Sequence, residues 1–208
     1  VMTNVILTIG IGEIYARGYF SIEAGLPFID TNDRTRFIGF YVETATGTQL
    51  IGSFGVVRAS DGREKFQIVM VRGKDPVTGA ILYAYGWVDP ATLAPAMGKY
   101  YCVEVRVLIG AGTGICEVWI DGTKQVTLTG LDNSVQGTLI KKIGFGNMAT
   151  EQTPVGGFPN LPAITIYGDN AVLATEYIGP EIIFTVPNVV VNTVSVSPST
   201  TVAPNTAM

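Results

Sequence analysis

The 208-residue chain contains no histidine. That excludes a Ser-His-Asp triad, a Cys-His dyad and imidazole-ligated zinc. Charge is scarce as well, at 14% of residues where an average soluble domain has about 25%. Hydrophobic residues reach 47%, so disorder is excluded for the bulk of the chain. With 13 Lys+Arg against 17 Asp+Glu and a pI near 4.8, a polybasic nucleic-acid binder is excluded too. No apolar run approaches the roughly 18 residues a membrane helix needs, and no Asn-x-Ser/Thr acceptor is present. Helical periodicity is missing throughout. The one helix candidate, Pro90 to Met97, is short and interrupted by Pro95.

Cysteine is limited to Cys102 and Cys116. Val103 to Ile109 and Ile115 to Ile120 read as the arms of a hairpin turning at Gly110-Ala111-Gly112-Thr113-Gly114. In that register Cys102 faces residue 121 or 122 and Cys116 faces residue 107 or 108. The sulfurs are then well beyond the ~7 Å Cα limit for a disulfide, and two free thiols are expected.

What the sequence does contain is alternation with period two. The candidate strands are 3–9, 13–23, 35–44, 49–57, 64–72, 80–88, 101–109, 115–120, 123–128, 138–145, 163–167, 171–177 and 181–186. Turn chemistry separates them at Thr46-Gly47, Asp61-Gly62, Thr78-Gly79, Asp121-Gly122 and Gly156-Gly157. Many short strands with Gly and Pro turns predict an all-β sandwich or barrel. Residues 1–186 form the expected domain and 187–208 an uncharged extension. No Lys or Arg follows Lys142, and no charge of any kind follows Glu181. Within the extension Val189, Val190, Val191, Val194 and Val196 make a β-prone strand without gatekeeper charges.

Three segments resemble the concanavalin A-like lectin/glucanase superfamily, including its laminin-G-like and polysaccharide-lyase-like jelly rolls. They are Ile14 to Phe20, the hairpin from Val103 that ends in Glu117-Val118-Trp119-Ile120-Asp121-Gly122, and Ile166 to Val172 with Tyr177-Ile178-Gly179-Pro180. The resemblance implies a jelly-roll sandwich of two antiparallel sheets. The tail from Val191 to Thr200 resembles instead the first strand of a bacterial immunoglobulin-like repeat. Such an orphan strand is either a donor for a neighbouring chain or the start of a further domain.

Alternation places Tyr83, Tyr85 and Trp87 on one outward face of their strand, and Arg17, Arg106, Glu117 and Trp119 outward on theirs. If these residues meet on one concave sheet they form an aromatic, charged groove in which sugars stack on rings and hydrogen-bond to Arg and Glu. The alternative is that they pack under loops or at a subunit contact. Catalysis has thinner support. The E-x-D-x-x-E run of the glucanase relatives is absent, and Glu117 and Asp121 lie four apart with Asp121 in a turn. The lyases of this fold use Tyr with His, Arg or Gln; without His, a Tyr/Arg pair such as Tyr19 with Arg17 is what remains. Asp30, Asn32 and Asp33 are an oxygen-rich loop that suits Ca²⁺ or ordinary Asx turns; relatives of the fold often carry calcium.

Two functions compete at this point. The first is a non-catalytic extracellular structural subunit, a homo-oligomer or polymer in a filament or surface layer, that donates its terminal strand to a neighbour. The second is a carbohydrate-binding module that takes a polysaccharide in the aromatic groove. The first accounts for the uncharged tail and the second for the aromatic stripe. The expectation from sequence is the first, at the cell surface, with no enzymatic activity.

Overall fold

The computed structural model describes residues 2–28, 30–45, 47–146 and 164–180. Two antiparallel sheets face each other. One has six strands: β1 (Met2–Ile11), β10 (Ile140–Gly146), β3 (Arg34–Thr44), β4 (Gly47–Arg58), β5 (Glu64–Lys74) and β6 (Ile81–Trp87), in that spatial order. The other has five: β11 (Thr165–Ala174), β2 (Glu13–Ala24), β7 (Tyr100–Leu108), β8 (Gly114–Ile120) and β9 (Thr123–Leu131). This is the expected jelly-roll sandwich. No helix among the described residues is long and apolar enough to cross a membrane.

Alternation decides which side each residue takes. Val103, Val105 and Val107 of β7 and Val118 and Ile120 of β8 point inward and are buried, as are Phe54 and Val56 of β4 and Phe66, Ile68 and Met70 of β5. A relay of rings crosses the interior, from Phe20 to Phe37 (5.3 Å between centroids), Phe54 (6.3 Å), Phe66 (5.8 Å) and Tyr101 (4.9 Å). It joins strands of both sheets through stacked and edge-to-face contacts, each adding about 0.5–1.5 kcal/mol beyond area burial.

Turn chemistry sets the hairpins. Asp121 (φ 51°) and Gly122 (φ 78°) both lie in the left-handed region, the requirement of a two-residue I′ turn and the reason for Asp-Gly there. Buried Asn133 pins the β7–β8 connection: its Oδ1 accepts from the Gly110 N–H (2.8 Å) and its Nδ2 donates to the Leu108 carbonyl (3.0 Å).

Several expectations need correction. The strands expected at 163–167 and 171–177 are one strand, β11, with a bulge between Asp169 and Val172 where Asn170 takes φ 49°. It stops at Ala174, and the following segment is not a strand. The helix expected over Pro90–Met97 does not form. Asp89 accepts the Ala91 N–H on its side chain and the Thr92 and Leu93 N–H groups on its carbonyl, which closes one turn, and Pro95 cannot continue the ladder. The strand expected at 181–186 and the extension with Val189, Val190, Val191, Val194 and Val196 lie outside the described residues.

The two cysteines fall in the expected register. Val107 pairs with Cys116, and the Asp121 N–H donates to the Cys102 carbonyl. Both thiols are free and buried, and burial raises the pKa of each, which suppresses the reactive thiolate. A thiol reagent is therefore expected to label neither cysteine in the native protein and both after denaturation. Rapid labelling of either under native conditions contradicts the buried placement.

Candidate functional site

The outward residues of the two sheets make two separate surfaces, with the core between them. Tyr83, Tyr85 and Trp87 belong to the six-stranded sheet, whereas Arg17, Arg106, Glu117 and Trp119 belong to the five-stranded one. The groove expected from sequence is thus divided, because alternation fixes a residue's face but not its sheet.

On the five-stranded sheet the outward residues hold the structure together. The Ile178 and Gly179 N–H groups donate to Oε1 and Oε2 of Glu104, each at 2.8 Å, and the Arg17 Nη1 donates to the Gly179 carbonyl at 2.7 Å. Arg17 and Glu104 are both buried and sit opposite each other across β2 and β7. The chain from Tyr177 to Pro180 is therefore a strap laid over the sheet. Trp119 is sandwiched into this layer, 5.1 Å from the Tyr177 ring and 6.2 Å from that of Tyr15. Lys124 lies 4.8 Å over the Trp119 ring and Arg106 lies 5.7 Å over Tyr15. Arg106 also donates to Glu13 and Glu117, each at 2.7 Å, and Lys124 pairs with Glu117. Burial alone would raise the Glu117 pKa, but the hydrogen bonds from Lys124 and Arg106 hold it below the usual carboxylate value. These four residues already have partners from their own chain. Of the Tyr19–Arg17 pair, Arg17 is committed to holding the strap.

The six-stranded sheet carries a cavity of about 560 Å³ on its outer face. Arg34 and Arg36 of β3, Ser53 of β4, Val69 of β5 and Tyr83 and Tyr85 of β6 line it, and the β3–β4 hairpin adds Thr44, Thr48 and Gln49. Among the described residues no carboxylate lines this cavity. Arg34 and Arg36 are two apart on one strand, so their Cα atoms are about 6.6 Å apart with side chains on the same face. Tyr83 and Tyr85 remain 43% and 51% exposed. A β-bulge supplies the shape. Phe40 pairs with Gly52 but Tyr41 pairs with Leu50, leaving Ile51 as the extra residue, and such a bulge bends its strand. Leu50, Ile51 and Gly52 all border the cavity.

Of the residues singled out from sequence, then, the cavity gathers Tyr83 and Tyr85. Trp87 lies one step further along β6, and Arg17, Arg106, Glu117 and Trp119 are on the opposite face. Arg34 and Arg36 were missed, although two arginines at i and i+2 before an apolar run are a readable signal for a basic outward face. In the Asp30–Asp33 loop, Asp33 is buried and its Oδ2 accepts the Asp30 N–H at 2.9 Å, while Asp30 and Asn32 are exposed. Among the described residues no third carboxylate joins Asp30 and Asp33.

With this geometry in hand, the architecture can be compared with that of solved structures. The first is an endo-β-1,4-glucuronan lyase from the fungus Trichoderma reesei, with a TM-score of 0.64 and 11% identity over 84% of this chain and 74% of that one. The alginate lyase Aly36B matches with a TM-score of 0.58 and 19% identity over 83% of this chain and 72% of that one. This chain shares their jelly-roll fold. No protein-family model matches the sequence, and no curated protein sequence matches it. The likeness of this jelly roll to polysaccharide lyases overturns the expectation of a non-catalytic, strand-donating structural subunit. That expectation drew on the tail, which lies outside the described residues, and on the scarcity of charge, which a neutral surface explains equally well.

Proposed function

We propose that the outer face of the six-stranded sheet binds an acidic, uronate-containing polysaccharide. The observation that carries this reading is one cavity lined by two arginines and two exposed tyrosines. Guanidinium forks match carboxylate geometry, tyrosine rings offer apolar faces to sugar C–H groups, and Ser53, Thr48 and Gln49 suit hydroxyls. The two guanidinium groups set the sign of the ligand. Support also comes from the solved structures of similar fold, whose names specify glucuronan and alginate as substrates. An extracellular or cell-surface location goes with a polymer of this kind.

A second reading, cleavage of the bound chain by β-elimination, is favoured by the presence of Tyr and Arg in the same cavity. An arginine neutralising the uronate carboxylate acidifies the C5 proton. A phenolate oxygen takes that proton, the C4–O bond breaks to leave a C4=C5 double bond, and the departing oxygen is protonated. Tyr83 and Tyr85 are the residues available for proton transfer.

The test is a binding titration with polyglucuronate, alginate and a neutral β-glucan at two salt concentrations. The expected result is binding of the two acidic polymers, weakened by salt because the arginines are partly exposed, and no binding of the neutral one. Equal affinity for the neutral glucan, or no binding of either polyuronate, refutes the proposal. Ultraviolet absorbance of the C4=C5 bond in the same samples reports whether the chain is also cut.

A further inference from the structure

Trp87 lies outside the cavity, yet it is 44% exposed on the same face of β6 as Tyr83 and Tyr85. Its position is fixed from below. A Cβ on the preceding Gly86 would come within 2.3 Å of Val126 Cγ1 on β9, so β6 is pressed onto the neighbouring sheet and cannot turn the indole inward. Pairing register then places Trp87 in a row. Arg36 pairs with Gly55, Gly55 with Gln67, and Gln67 with Trp87. Paired residues share a face, so the row runs perpendicular to the strands from a guanidinium to an indole. Between them stand Gly55, where a Cβ would meet the Thr35 and Arg36 backbone of β3, and the buried Gln67. The parallel row next to it runs from Gly39 through Ser53 and Val69 to Tyr85. From β3 to β6 is three inter-strand steps, about 14 Å. At the β6 end the Lys65 ammonium lies 5.9 Å over the Trp87 ring and is anchored to Asp61 at 2.7 Å.

We infer that Trp87 is an outer contact for a chain lying across the strands, so that the site selects for oligosaccharide length. The occupant is the acidic glycan proposed above, and the inference rests on that reading. One end of the ligand sits at Arg36 and Arg34, and the chain runs across β4 and β5 toward β6. Only a chain long enough to span the row reaches the indole. A disaccharide held by the arginines does not.

The experiment is a titration of wild type and Trp87→Ala with a length series of oligoglucuronates from the disaccharide upward. Wild-type affinity is expected to rise with length and then level off. Trp87→Ala is expected to bind the disaccharide as wild type does and the longest members roughly fivefold to tenfold more weakly, with Trp87→Phe restoring part of the loss. Equal weakening at every length, or none at any length, overturns the inference while leaving the binding proposal standing. If wild type binds no member of the series, the proposal itself fails and the inference falls with it.

Discussion

Replacing Arg34 and Arg36 together by Gln is expected to abolish measurable binding of polyuronates while leaving a folded domain. Each arginine that meets a carboxylate contributes a charge-assisted hydrogen bond of about 1.5–3 kcal/mol, which is roughly tenfold to 150-fold in affinity. The pair acts in one cavity, so the combined loss is expected to exceed about 100-fold. Arg36→Lys is a sharper probe. It keeps the charge and loses the planar fork, and the two groups are not interchangeable at a bidentate site. An intermediate loss is expected for Lys and a larger one for Gln, measured by titration with one defined oligoglucuronate. If the double Gln variant binds as wild type does, the basic wall of the cavity is not the recognition surface.

Glu104→Ala is expected to produce the largest loss of stability of any single change on the five-stranded sheet. Its carboxylate is buried and takes both the Ile178 and Gly179 N–H groups, directly opposite Arg17. Removing it leaves two strap amides without their acceptor. Leaving two such donors unsatisfied costs about 2–6 kcal/mol. For a chain of this size each kcal/mol moves Tm by about 2–4 °C, so the shift is on the order of 10 °C. Glu104→Gln keeps one acceptor oxygen and is expected to fall between. Glycan affinity of the folded fraction is expected to be unchanged, because the strap and the cavity are on opposite sides of the core. A variant that loses glycan binding without losing stability contradicts this division of labour between the sheets.

Legibility in the sequence was uneven, and the physics says where it stopped. Inward and outward residues were readable because alternation is local: the placement of Val103, Val105, Val107, Val118 and Ile120 inside and of Glu117 and Trp119 outside follows from period two alone. The Asp121-Gly122 turn was readable for the same reason, as was the register that keeps Cys102 and Cys116 apart. Sheet membership was not readable. The chain passes from one sheet to the other at the β1–β2, β2–β3, β6–β7, β9–β10 and β10–β11 connections, and nothing in the alternation of Tyr83-Ala84-Tyr85 records which sheet that strand joins.

The burial of Arg17 was likewise hidden. Its acceptor, the Gly179 carbonyl, is 162 residues away, so an outward-facing arginine on an exposed-looking strand becomes a buried clamp only once the strap is laid over it. The Tyr177-Ile178-Gly179-Pro180 motif was recognisable, but as a closing strand rather than as a strap held by Glu104. The bulge at Ile51 that bends the hairpin over the cavity is a pairing defect, visible only when both strands are aligned.

The two tryptophans fall on opposite faces, Trp87 beside the cavity and Trp119 under the strap, and this allows one direct test of the central claim. Fluorescence of Trp119→Phe, which retains Trp87 alone, is to be followed during titration with a long oligoglucuronate, alongside Trp87→Phe, which retains Trp119 alone. The account predicts a saturable change in the first variant and none in the second. A saturable change carried by Trp119, with Trp87 silent, would place the ligand on the five-stranded sheet and contradict it.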